Sequence, residues 1–387
     1  MDPKPRHYRS LDGLRGVAAL VVVIYHSMIA TPRFGEIRLE PGVHELSLLE
    51  HLIASTPLRL FWSGTEAVIV FFVLSGLVLS LPFVRADKYP GPYFYPRRLL
   101  RLYLPAIASL IFAFLIALVV PRVFINGASA WVNEHAELPN GAPQVLVGSS
   151  LMSGWGGLNL SLWSLRWEVL FSMLLAAFLW VARIARNTLW FKIAVAITIA
   201  VAWPLSGVLF PNAVYIVVFI FGVLMAFQLD LMERIAARVS RSGWVVLAIV
   251  AAALLSYSGI VAAWNPPALG LLLNLWVGLA SVGAVLLVFA AIHWRPVVSG
   301  LEAPAVQWLG KVSFSLYLIQ DPVIVTLAIV TGGQVSPWLV APSGILLCLA
   351  VSYLFYRIVE RPSHLVSRGF LRSFEQRRAR RASLSQT

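Results

Sequence analysis

The sequence predicts an all-α polytopic membrane protein of about ten transmembrane helices with both termini cytoplasmic, and three observations predict it. Apolar residues make up 59% of the 387 positions and charged residues only 12%, with a mean hydropathy of +0.82, which no ordinary soluble domain carries. Apolar runs long enough to cross a hydrocarbon core of about 30 Å recur along the whole chain. Lys and Arg alternate with those runs: with the N-terminus inside, 25 of the 30 fall on inner segments, leaving Arg33, Arg38, Arg59, Arg122 and Arg166 outside.

The first run, residues 14–30, follows a basic flank and carries Arg15 and His26. It continues past Tyr25–His26 without a small-x-small cleavage site, so it reads as a retained span and not as a signal peptide. The second, 61–83, holds Glu66 near its outer end; the third, 99–120, opens on Arg97, Arg98 and Arg101; the fourth, 162–181, has Glu168 about a turn inside. Runs at 189–209, 213–232, 244–263, 268–292, 312–330 and 338–358 complete the set, with Pro, Gly and polar clusters between most of them. Residues 1–365 thus form one membrane-embedded domain, and 366–387 a basic tail whose Arg377, Arg378, Arg380 and Arg381 suit a membrane-surface anchor.

The net charge of +13 is spread over inner loops and this tail, not gathered on a folded basic face, which argues for anionic lipid as the partner and against nucleic acid. A single cysteine, Cys348, allows no intrachain disulfide and no thiolate metal site. No two histidines stand at i, i+4, and no P-loop is present, so no metal is expected.

Ionisable groups in hydrocarbon are costly and therefore functional candidates. Arg15 and His26 are eleven residues apart, which on a helix puts them on nearly one face and roughly 16 Å apart along the axis. Arg97 and Arg101, four apart, share a face on which they can present forked donors to phosphates, or act simply as inner-surface anchors. Glu168 must be protonated, paired (with Arg166, for example) or turned to water, and Glu66 poses the same question nearer the outer face.

Six patches, in order, carry a resemblance: RSLDGLRGVAALVVVIYH from Arg9, FFVLSGLVLS with Ser75 and Gly76, PRRLLRLYLP with Arg97, Arg98 and Arg101, WSLRWEVLF with Trp163, Ser164 and Glu168, LGKVSFSLYLIQDP with Tyr317, and FYRIVERP with Glu360. Together they resemble the membrane acyltransferase-3 family, integral membrane enzymes that acylate sugars and other hydroxyl compounds. One departure stands out: Gln320 occupies a position where many members have histidine, so no proton-accepting role carries over to it.

The resemblance implies an acyl-CoA donor from the cytoplasm, acetyl-CoA foremost, and an acceptor hydroxyl on a glycan, glycolipid or similar molecule at the inner (cytoplasmic) membrane. On that reading Arg97, Arg98 and Arg101 hold the CoA phosphates, and Arg15 meets the pantetheine end or the developing oxyanion. His26 is the general base, with a covalent acyl-His the alternative chemistry and a buried structural histidine the plainer one. Glu168 orients His26 or holds the acceptor, and Asp12 locks Arg15 through an i, i+3 pair. Glu66, Ser75, Trp163, Tyr317 and Gln320 are the candidate substrate contacts, and the outer loops 31–60 and 122–159 shape the acceptor site. A multi-span transporter or flippase using the same Arg, His and Glu residues is the competing function, and a non-catalytic membrane sensor a further one.

Overall fold

A computed structural model describes residues 8–39, 46–152, 157–185, 214–264, 272, 275–333 and 336–367. Every regular element among them is helical. The long helices are α1 (Arg9–Ile29), α2 (Gly64–Arg85), α3 (Phe94–Val119), α4 (Trp163–Ala185), α5 (Val214–Phe227), α6 (Arg241–Leu255), α7 (Trp276–His293), α8 (Pro304–Val330) and α9 (Pro337–Phe355). Seven helical stretches among the described residues are long and apolar enough to cross a membrane, or eight if α5 and the helix after it count as one bent span. The chain is therefore a multi-pass membrane protein.

Two of the expected spans differ, and a third lies outside the described residues. The run 213–232 breaks at Gln228, and its second half, Leu229–Ala236, turns away by 75°. That half, LDLMERIA, sets Asp230, Glu233 and Arg234 against apolar neighbours, so it is amphipathic and suits an interface better than hydrocarbon. The run 244–263 divides at Ser256 into α6 and a helix at Tyr257–Trp264; α6, at 15 residues, is too short to cross alone. The run 189–209 lies outside the described residues, as do Arg186, Lys192 and residues 368–387 of the tail, while the final helix runs on to Ser367.

α1 and α8 lie parallel in close contact, and glycine makes this possible. A Cβ on Gly16 would strike the backbone of Gly310, and one on Gly13 would strike the Leu301 carbonyl. α2 and α5 meet the same way: Gly76 faces the Phe219 carbonyl, and Gly222 faces the Val73 carbonyl. Without a hydrophobic driving force between helices in lipid, such backbone approaches are a principal source of association. α8 is the most buried span, at 78% of its apolar window. It tolerates Pro322 because the missing N–H leaves the Leu318 carbonyl free, and the Asn159 amide donates to that carbonyl at 2.7 Å.

The end of the bundle where α1 finishes is covered by short helices at Pro32–Leu39, Leu48–Ser55 and Ala130–Glu137. Ser47 and Glu50 close a capping box on the second of these, and Arg33 binds Glu50 through two nitrogens at 2.8 and 3.0 Å. The Arg33 guanidinium holds the Glu50 carboxyl down at about 2, helped by the Ser47 hydrogen bonds.

Candidate functional site: a charged cavity and a histidine beyond it

At the end where α1 begins, α1, α2, α3, α4 and α8 surround a cavity of about 170 Å³. α1 supplies Asp12 and Arg15, α2 Ser75, α3 Arg98 and Arg101, α4 Ser164 and Glu168, and α8 Ser313 and Tyr317. Glu360 enters from the π-turn that follows α9, a distortion common at functional positions. Three guanidiniums thus face the same space as three carboxylates, and the cavity is mixed in charge where the sequence promised a basic mouth.

Each charged group is fixed by a neighbouring helix. Arg15 donates from Nε to Ser313 Oγ at 3.0 Å and from Nη2 to the Gly310 carbonyl at 3.3 Å, so the α1–α8 glycine contact also aims the guanidinium. Asp12 lines the cavity one turn before it. Glu168 pairs with Arg98 and accepts from Ser75 Oγ at 3.2 Å; Arg98 also donates to Ser172 Oγ at 3.2 Å. Glu360 accepts from the backbone N–H and hydroxyl of Ser315 at 3.0 and 2.5 Å. Arg101 is exposed and turned to the cavity.

Several expectations are corrected here. Arg98 and Arg101, not Arg97 and Arg101, form the α3 pair at the cavity; Arg97 is exposed outside its lining. Glu168 pairs with another helix, one of the alternatives the sequence left open, and its partner is Arg98 from α3, with neither Arg166 nor His26 bonded to it. Trp163 packs against Tyr215 (ring centroids 5.4 Å apart), and Glu66 accepts from Ser258 Oγ at 3.1 Å, so neither lines the cavity.

His26 does not line it either. Its Nδ1 donates to Gln320 Oε1 at 2.8 Å, and the Gln320 amide donates onward to Ser161 Oγ at 2.5 Å. One turn earlier on α8, Tyr317 donates to the Ser161 carbonyl at 3.0 Å, and its hydroxyl lies 2.6 Å from Ser164 Oγ. Tyr317, Gln320 and Ser161 are all buried, and they form a hydrogen-bonded partition between the cavity and the imidazole. Among the described residues, the open polar passage expected from the sequence does not reach the imidazole: the cavity ends at this partition.

Beyond the partition His26 stacks on Trp131 (centroids 5.0 Å, planes 17° apart), and Trp131 meets His135 edge-on at 4.9 Å. His135 Nε2 lies 3.2 Å from the Asp321 carboxylate, both side chains fully buried. The reading of the sequence passed over Asp321, although a carboxylate interrupting the run 312–330 was a signal for it, and nothing in AWVNEHAE announced His135 as its partner. Glu360 likewise stood in a quoted motif without a signal that its side chain turns inward.

A family model described as an acyltransferase domain matches residues 8–357, nearly the whole chain. No curated protein and no solved structure matches it. The chain belongs to the acyltransferase-3 family and is a membrane acyltransferase.

Proposed function

We propose that the protein moves an acyl group, acetyl in the first instance, from cytoplasmic acyl-CoA to a hydroxyl of a glycan, glycolipid or similar acceptor in the inner membrane. The observation that carries this reading is the placement of Arg15 and His26 on α1: the first opens on the charged cavity, and the second stands past the partition with its Nδ1–H occupied by Gln320. In the neutral ring that leaves Nε2 as the proton acceptor, so the glutamine in the family's histidine position sets the tautomer a general base needs.

The charge arrangement suits a donor entering where α1 begins. Arg97 and Arg101, both exposed there, meet the CoA phosphates. Arg15, already oriented by Ser313, stabilises the thioester oxygen as it becomes an oxyanion. Arg98 and Glu168 neutralise each other and hold α3 against α4. The acceptor oxygen attacks the thioester carbonyl, its proton passes to His26, the C–S bond breaks, and the proton returns to the departing thiolate. Tyr317 and Ser161 separate the two halves at rest, so transfer requires that their contact open while Gln320 keeps hold of Nδ1–H.

Membranes containing the protein, supplied with radiolabelled acetyl-CoA, test this: label appears on extractable lipid or glycan, and His26→Ala abolishes it with expression and insertion preserved. Uptake of an unmodified solute without acyl transfer would favour the transporter reading. An unchanged cellular acylation pattern in a His26→Ala strain would favour a sensor.

A further inference from the structure

Arg122 follows α3 in the loop 120–129, at the end of the bundle that holds His26. Its guanidinium is buried, and among the described residues it is the one arginine whose Nε, Nη1 and Nη2 are all buried without a hydrogen-bond partner. A guanidinium carries five N–H donors and cannot shed its charge, so burial without a partner is strongly unfavourable. Burial pushes Arg122 down from its ordinary range, and only Asp321 opposes that push.

Asp321 is already committed. Its two carboxylate oxygens lie 3.3 and 3.2 Å from His135 Nε2, and it accepts the Leu160 backbone N–H at 3.2 Å. His135 Nδ1 lies 2.9 Å from the Trp131 carbonyl, which can only accept. His135 Nδ1 therefore donates to that carbonyl, and one proton shared between Nε2 and the Asp321 carboxyl makes the His135–Asp321 pair neutral as a unit, whichever of the two carries it. Arg122 is then a buried cation in excess, facing the same Asp321 whose charge also reaches His26, and nine residues before the Trp131 that stacks on that imidazole.

We propose that Arg122 anchors an anion subsite beside His26 that receives a carboxylate or phosphate group carried by the acyl acceptor. A planar, forked donor suits such an oxyanion in a bidentate pair, whereas a neutral sugar would leave the charge uncompensated. The inference rests on the reading that the acceptor approaches His26 from this end. The site it names is separate from the Arg15–Arg98–Arg101 cavity.

The test uses the purified full-length chain in detergent and follows its thermal unfolding in sodium glucuronate, inorganic phosphate, glucose and sodium chloride. We expect glucuronate or phosphate to raise the unfolding temperature by about 2 °C or more beyond the chloride control. Glucuronate acting alone identifies a sugar acid; phosphate acting alone identifies a phosphorylated or lipid-linked acceptor. The shift disappears in Arg122→Gln, persists in Arg101→Gln, and in Arg122→Lys needs several-fold more anion because the fork is lost. No anion effect in the wild type, an effect abolished by Arg101→Gln alone, or an Arg122→Lys response equal to the wild type would each overturn the proposal. Stabilisation by CoA, read in the same assay, separates the two readings: its absence counts against the acyl-CoA donor and leaves the anion result standing.

Discussion

The chemistry of a membrane-buried residue is decided by what its neighbours leave unsatisfied. At His26 the deciding neighbour is Gln320, whose carbonyl oxygen takes Nδ1–H and whose amide is itself tied to Ser161. Gln320→Leu removes that acceptor, and we expect acyl transfer to fall about 10- to 100-fold, the cost of an unmade buried hydrogen bond, while Gln320→Glu, which still accepts, loses less. The comparison is of initial labelling rates at equal protein level. Outside the spans, Glu50 has its carboxyl held near 2 against the usual 4.5. A depressed folded value contributes stability that is complete above about 4.5 and is lost as pH falls toward about 2. Glu50→Gln should therefore lower the unfolding temperature at neutral pH and make no difference near pH 2, where the wild type has lost the same contribution. At this scale the sequence revealed Arg15, His26 and Glu168 because ionisable side chains interrupt apolar runs. It concealed their partners: spacing along α3 relates Arg97, Arg98 and Arg101 to one another, but only the position of α4 decides that Arg98 meets Glu168.

Helices here are held by where they lack side chains as much as by where they carry them. Gly16 and Gly76 each sit where a Cβ would meet neighbouring backbone, so Gly16→Val and Gly76→Val should cost about 1–3 kcal/mol each and displace the α1–α8 and α2–α5 crossings. Gly91→Ala, where nothing stands within 4 Å, is the control and should be neutral in the same thermal scan. The α1–α8 variant should also weaken acyl transfer, since Ser313 and Gly310 orient Arg15. Element existence was largely legible, because a span is a long run of hydrocarbon-compatible residues. Breaks were not: averaging over 213–232 hides the Asp230, Glu233 and Arg234 pattern that turns its second half away, and the end of α6 at Ser256 depends on local backbone bonds to Ala252 and Ala253.

For the molecule as a whole, the two ends carry different groups, one the guanidiniums of Arg15, Arg98 and Arg101 and the other an imidazole, a His–Asp pair and Arg122, and on the proposed function these face donor and acceptor respectively. The orientation proposed from the Lys and Arg distribution places the second end outside. Leu48, 77% exposed on its short covering helix, should be labelled as Leu48→Cys by a membrane-impermeant maleimide in intact cells, in a Cys348→Ala background; labelling only after lysis would invert the topology. Between the ends stands the layer of Tyr317, Gln320 and Ser161, which hydrogen-bond one another and the neighbouring Ser164. Such a layer matters to the cell even when no acylation is under way, because a column of water through the protein would conduct protons and short-circuit the membrane potential. Proteoliposomes containing the protein should therefore hold an imposed proton gradient as long as protein-free vesicles do, and a faster decay would show that the layer does not seal the bundle.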